Sequence, residues 1–258
     1  MTAAPTPHRL AAALAMAAAL STASASAPPA QAPAGDGLPV YVCRRVDRDL
    51  ALDGRLSDPL WSKAAVVRLV RADTGAPAER RTEVRLLYSA TTLYIGFDCQ
   101  DDFVWGTRTS PDSDIYAEEC VEAFLNPAGS PHQYFEINVS PKGVVFDACI
   151  LNPKTEAAPD RSITGLKDWH PAGLATRVFV DGETDRPGGA RSWSVEYAIP
   201  LAALVGAPSV PPAPGDAWRM NLYRIDAPAP GRSRYDAWSP TLKIDFHRPW
   251  RFGILRFE

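Results

Sequence analysis

From about residue 40 onward, apolar and polar residues alternate with a period of two, the spacing that puts successive side chains on opposite faces of a strand. Segments 40–46, 83–89, 93–99, 120–125, 134–140, 144–151, 175–181, 192–199, 218–226 and 252–257 carry this alternation, each bounded by turn-forming residues. The helical period is nearly absent. Two short helical turns are predicted: 59–64, with Ser57 or Asp58 as cap and Pro59 near the first position, and 201–205 after Pro200. Short strands separated by turns, in a chain with 25 Pro and 17 Gly, predict an all-β fold, an antiparallel β-sandwich with one or two short helical turns.

The alternation also sorts side chains by face. Phe135, Ile137 and Val139 share one side of their strand, and Tyr134, Glu136 and Asn138 the other. Trp218, Met220 and Leu222 oppose Arg219, Asn221 and Tyr223, and Val121, Ala123 and Leu125 oppose Glu122 and Phe124. If these strands share a sheet, its non-core face carries Glu122, Glu136, Asn138, Asn221 and Tyr223. Such a row is either an ordinary solvated face or a binding surface. Among the seven Trp, Trp61, Trp193 and Trp218 follow the core alternation. Trp105, Trp169, Trp238 and Trp250 fall in or beside loops, where an exposed ring more often serves a function.

The N-terminal end has a different character. Arg9, an apolar run at 10–20 and small residues at 21–27 read as a secretory signal, with Ala23-Ser24-Ala25 as the cleavage pattern and Ser26 as the mature start. A run of about 11 residues is too short to span a bilayer, which needs roughly 20, so no membrane insertion is expected. Residues 26–39, mostly Ala and Pro, read as a disordered spacer, and 40–258 as one domain. The expected location is periplasmic or extracellular. A net charge of −3 with interspersed signs excludes the clustered basic patch that nucleic acid would need, and a monomer is expected. Cys43, Cys99, Cys120 and Cys149 permit disulfides in an exported chain. Cys99 and Cys120, one ending a strand and the other beginning the next, are the best-placed pair. Free buried thiols are the alternative.

Six segments occur in an order that resembles a known family: LDGRLSDPLW (52–61), RLLYSATTLYIGFDCQDD (85–102), ECVEAFLNP (119–127), YFEINVSPKGVVFDA (134–148), WSVEYAIPLAAL (193–204) and RFGILRF (251–257). Together they are similar to carbohydrate-binding module family 9, within the broader group of DOMON-like sandwiches, in a branch of stand-alone exported proteins. The resemblance implies a sandwich of antiparallel sheets, often with structural calcium, that binds mono-, oligo- or polysaccharide in a slot between two aromatic rings. Carried over by position, the slot rings are Tyr116 and Phe246, and the polar groups between them are Glu122, Glu136 and Asn138. Trp250 is the reserve ring, with Trp238 and His247 nearby. Two departures stand out: the well-known sugar binders carry Trp at both slot positions and a basic residue where Glu136 stands. The expected function is non-catalytic carbohydrate binding, with no required cofactor.

Rival chemistries leave weaker marks. Glu122 and Glu136, as cross-strand neighbours, could in principle serve as a hydrolytic pair, but no nucleophile with a base is evident. His132, His170 and His247 lack zinc spacing. Haem binding would require Met220, whose alternation makes it a core residue. Calcium would draw on the acidic loops around Asp98, Asp101, Asp102, Asp112 and Asp114. A protein-interaction module of the cell envelope using the same face is the remaining alternative.

Overall fold

The computed structural model describes residues 1–2 and 37–258. The expected signal segment and most of the spacer lie outside the described residues. Within 37–258 the chain forms fourteen strands: β1 (Val40–Arg45), β2 (Val67–Arg68), β3 (Val70–Arg71), β4 (Thr82–Tyr88), β5 (Thr92–Gln100), β6 (Cys120–Asn126), β7 (Gln133–Val139), β8 (Val145–Leu151), β9 (Thr164–Leu166), β10 (Ala175–Gly182), β11 (Ala190–Pro200), β12 (Ala217–Ala229), β13 (Arg232–Ala237) and β14 (Gly253–Phe257). Both predicted helical turns are present as tight single turns, Pro59–Lys63 and Leu201–Ala203. Asp58 caps the first by accepting from the Leu60 amide at 2.9 Å.

The strands build a β-sandwich. One layer runs β14-β12-β6-β7-β8-β9, with β13 on β12 and β3 on β13; the other runs β10-β11-β5-β4, with β2 on β4. β1 joins the layers. Its first half, Val40 to Cys43, pairs parallel with β14, and Arg44 and Arg45 pair parallel with β4. The other named ladders are antiparallel.

The core lies where the alternation puts it. Val121, Ala123, Leu125, Phe135, Ile137, Val139, Trp218, Met220 and Leu222 pack against Val84, Leu86, Ile95, Phe97, Trp193, Val195 and Tyr197 from the facing layer. Met220 is fully enclosed there, in the core position its alternation predicts. The opposite face of the first layer is not solvated, because residues 238–252 fold across it. Asn221 holds that segment by exchanging hydrogen bonds with the Ser239 carbonyl (2.8 Å) and amide (2.9 Å), and the Tyr223 hydroxyl donates to the Phe246 carbonyl at 2.9 Å. Trp238 is buried against Gly253, where a Cβ would lie 2.4 Å from the indole ring. Trp105 is also buried, donating to the Ala227 carbonyl at 2.7 Å, and Trp169 stacks on Phe135 at 4.4 Å. The loop positions of these three rings therefore mark packing, because each is held by a distant segment: Trp238 by Gly253, Trp105 by the Ala227 carbonyl and Trp169 by Phe135.

At one end of the sandwich the core gives way to charge. Arg224 of β12, fully buried, donates to Thr82 (3.1 Å), to the Gln100 carbonyl (3.0 Å) and to Asp101 (2.6 Å) in the other layer, and to Glu119 (3.1 Å) and Asp226 (3.4 Å) in its own. Arg80 bridges Asp101 and Asp102, Arg234 reaches Asp226 at 3.1 Å, and the Trp193 indole donates to Glu119 at 3.0 Å.

All four cysteines are free and buried, against the expectation of a Cys99–Cys120 bridge. β5 pairs with β4 and β11, whereas β6 pairs with β12 and β7, so the two strands belong to different layers. Cys99 faces the inter-layer core and Cys120 the opposite side of its sheet. Burial pushes the Cys99 thiol up to about 12 and raises those of Cys43 and Cys120, and the thiolate is the reactive form. Native protein should therefore take no iodoacetamide at Cys43, Cys99 or Cys120, and all four thiols should label after denaturation without reductant. Mass spectrometry finding fewer than four labels in the denatured state would restore a bridge.

Candidate functional site

The covered face of the first layer contains a cleft of about 490 Å³, within the roughly 300–1,000 Å³ typical of small-molecule sites. The antiparallel pairing of β6 with β7 sets Glu122 opposite Asn138 and Phe124 opposite Glu136, so the two glutamates are diagonal neighbours on the cleft floor. Phe146 and Ile150 from β8 and Ile225 from β12 continue the floor. Gly165 and Lys167, in and after β9, form one side, and residues 244–247 with Tyr235 form the other. Tyr116, in the tight turn Ile115–Ala117, stands on the rim, 41% exposed and edge-on to Phe146 at 5.4 Å.

Four of the six sequence-predicted residues therefore meet in one cleft: Tyr116, Glu122, Glu136 and Phe246. Asn138 is fully buried behind it and donates to Glu136 Oε1 at 2.8 Å, so it orients that carboxyl. Trp250 does not join them. It lies in a separate surface depression with Arg219, Pro249 and Arg251, because the tight turn Pro249–Arg251 carries the chain away from the cleft before β14. Phe246 differs from a free slot wall in that Tyr223 stacks on one of its faces, at 3.9 Å and 9°, and Tyr235 meets it edge-on at 5.9 Å. Asn221 and Tyr223, counted among the polar face residues, brace the covering segment instead.

Phe146, Lys167, Tyr235 and His247 complete the cleft. Phe146 and Ile150 share one face of β8 by the same alternation that sorted β7, a signal available in the sequence. Lys167 and Tyr235 carry no such mark, since β9 has only three residues and ends before Lys167, and β13, RSRYDA, shows no apolar–polar alternation. His247 accepts or donates at Nδ1 with the Tyr134 hydroxyl at 2.8 Å, and Asn152 anchors its carbonyl at 3.1 Å. Burial pushes His247 down to about 4, so it is neutral at pH 7.

The floor is electrostatically unusual. Glu122 and Glu136 are 2% and 5% exposed. Burial pushes Glu136 up to about 7, and burial together with the Glu136 charge raises Glu122 well above the ordinary range. On the rim, partial burial and then Asp114 push Tyr116 up to about 12. A carboxyl with a raised folded-state pKa keeps its proton after the unfolded chain has lost it, so its contribution to stability falls as pH rises from about 4.5 towards about 7. Glu136→Gln should flatten the decline in stability over that window, as read from urea melts at a series of pH values. A variant curve parallel to wild type would show that Glu136 ionises normally.

Two groups of side chains bear on calcium. Asp101, Glu119 and Asp226 converge, as do Asp112, Asp147 and His170. The first group surrounds the Arg224 guanidinium, which occupies the position a cation would take. In the second, Asp147 is engaged by His170 Nδ1 at 2.9 Å, a nitrogen donor that calcium, with its six to eight oxygen ligands, does not favour. Asp98, Asp102 and Asp114 pair with Arg81, Arg80 and Lys167. Neither group fits calcium.

The family sequence model described as carbohydrate family 9 binding domain-like matches residues 52–258. The chain belongs to this family. Among solved structures, a family 9 carbohydrate-binding module from Caldicellulosiruptor kristjanssonii in complex with cellotriose aligns with a TM-score of 0.58 at 14% identity, covering 85% of this chain and 93% of its own. The same organism's family 9 module in complex with glucose gives 0.55 at 15% identity, covering 84% and 95%. A Bacteroides uniformis protein described as a candidate carbohydrate-binding protein gives 0.64 at 17% identity, covering 85% and 99%. At these identities the likeness is one of fold. In sequence, the chain is 28% identical over 182 residues to an Arthroderma benhamiae "Extracellular protein", spanning 65% of this chain and 74% of that one. Among the described residues no helix is long and apolar enough to cross a membrane.

Proposed function

We propose that this protein is an exported, non-catalytic carbohydrate-binding domain that holds a sugar in the cleft between Tyr116 and residues 244–247. Membership of a family of binding modules supports the reading, and one observation carries it: aromatic rings and hydrogen-bonding carboxyls share a single cleft on one face of the sandwich. A pyranose has apolar C–H faces and an equator of hydroxyls, so Tyr116, Phe146 and Phe246 meet the first while Glu122 and Glu136 meet the second. The family description, that of a binding domain, supports the non-catalytic reading.

Binding should be weak, on the order of micromolar to millimolar, because open polar contacts compete with water and each nets only about 0.5–1.5 kcal/mol. Export is supported by the leader-like pattern of residues 1–25 and by the extracellular relative. Titration calorimetry with glucose, cello-oligosaccharides and a wider glycan panel tests the reading. Saturable heats for at least one sugar, absent when Tyr116 is replaced by Ala, would support it. Heats for no glycan on the panel would refute it.

A further inference from the structure

The protein buries carboxylates in two places and treats them differently. At the end of the sandwich, Asp101, Glu119 and Asp226 are met by Arg224, Arg80 and Arg234. On the cleft floor, Glu122 and Glu136 have no ion-paired lysine or arginine, although the Lys167 charge acts on Glu136 from a distance. Glu122 Oε1 receives only the Cys120 thiol at 3.5 Å and Glu136 Oε1 only the Asn138 amide at 2.8 Å. Glu136 Oε2 is 4.0 Å from His247 Nε2, too far for a hydrogen bond, and Glu122 Oε2 takes none. Neither Oε2 is sealed from solvent, unlike Glu119 Oε2, so both open to the cleft.

The charged groups around the pair are already committed. Lys167 donates to Asp114 at 3.1 Å and lies over the Phe146 ring at 4.8 Å. Lys154 pairs with Asp245 at 2.7 Å. Tyr223, opposite Glu122 on β12, gives its hydroxyl proton to the Phe246 carbonyl, and Tyr134 shares a hydrogen bond with His247. The remaining lining groups are the aliphatic side chains of Ile150, Ile163, Ile225 and Ile244, with Gly165, and the rings of Tyr116, Phe146, Tyr235 and Phe246, whose faces attract a cation. Two acceptors without donors, 95% or more buried at the base of an aromatic cleft, thus lack a ligand that brings both positive charge and N–H groups.

We propose that the ligand is a sugar bearing a free ammonium group, its N–H donors on Glu122 and Glu136 and its ring among Tyr116, Phe146 and Phe246; this rests on the sugar-binding reading above. A primary ammonium supplies three donors, enough for both open carboxyl oxygens, whereas a quaternary ammonium supplies none. Because the pair retains a proton near neutrality, the incoming ammonium displaces it, and binding releases up to about one proton.

Titration calorimetry of the full chain with glucosamine, glucose, N-acetylglucosamine and choline at about pH 6.5, in two buffers of different ionisation heat, tests this. Glucosamine should bind about tenfold or more tightly than glucose, with proton release, and N-acetylglucosamine should bind no more tightly than glucose. The preference should vanish in Glu122→Gln/Glu136→Gln, its folding checked by circular dichroism. If that variant does not fold, the proton release in wild type decides. Equal affinity for glucosamine and glucose overturns the ammonium proposal and leaves sugar binding intact. Choline binding more tightly than glucosamine overturns the amino-sugar assignment. No heat with any of the three sugars overturns the ammonium proposal, and the wider glycan panel then decides the sugar-binding reading.

Discussion

Replacing Arg224 with Met should produce the largest stability loss of any single substitution in the sandwich, about 3–5 kcal/mol in urea melts at pH 7. The guanidinium is fully buried and serves Asp101, Glu119 and Asp226 together, at 2.6, 3.1 and 3.4 Å. Removing it leaves buried carboxylates without their central cation, and water cannot replace it. For a domain of this size the loss translates to roughly 6–20 °C in melting temperature. Acid should narrow the gap. Burial opposes ionisation of Asp101, but its hydrogen bond with Glu119, the Arg224 charge, the Phe103 amide and Arg80 outweigh that and hold its carboxyl below the ordinary range. The stabilisation from Asp101 is therefore present above its unfolded pKa and lost as pH falls through the folded one. Arg224→Met/Asp101→Asn should recover part of the deficit, because the carboxyl held below the ordinary range is removed with the cation, whereas burial raises Glu119 well above that range. A single variant within about 1 kcal/mol of wild type would mean the cluster is hydrated or protonated rather than ion-paired.

Tyr116→Ala should show the opposite profile, a loss of about tenfold or more in sugar affinity with little change in stability. The ring is 41% exposed on the cleft rim and meets the Phe146 ring edge-to-face at 5.4 Å. Such a pair contributes about 0.5–1.5 kcal/mol, a shift of only a few degrees in melting temperature. Facing the cleft, the ring gives a pyranose its apolar contact. Calorimetry and a thermal melt on the same preparation separate the two effects. A large drop in melting temperature would identify Tyr116 as a packing residue, and undiminished binding of a sugar that wild type holds would move the slot elsewhere.

Much of this architecture is legible in the alternation alone. Both faces of β6, β7 and β12 follow it, and so does the shared face of Glu122 and Glu136, whose diagonal register is set by the pairing of β6 with β7. The charge cluster was legible too, though less plainly. Thr82, Asp101, Glu119 and Arg224 each stand two residues beyond a core position, next to Val84, Cys99, Val121 and Leu222 respectively. Each extends the inward-facing series, so polar residues continuing a core face in several strands signal a buried network. What periodicity misses is the path of irregular chain. Nothing in the sequence of 238–252 states that it lies across the sheet, that Phe246 comes to rest on Tyr223, or that the next turn carries Trp250 away. Cys99 and Cys120 are close in sequence but belong to different layers, because the chain crosses between sheets in the loop between them.

β1 has a further consequence, in the order of folding. Its first half pairs Val40 with Ile254 and its second half pairs Arg44 with Leu87. The ladder joining the layers therefore needs the last strand to form, and contacts between distant segments repay their loop entropy late. Folding of such topologies is slow, on the order of milliseconds to seconds. During synthesis each layer can begin to pair within itself, but β1 cannot complete its parallel contact until residues 253–257 emerge. The nascent chain thus stays without its joined sandwich until those residues have been made, and deleting β14 should leave two partly formed sheets rather than a smaller intact domain.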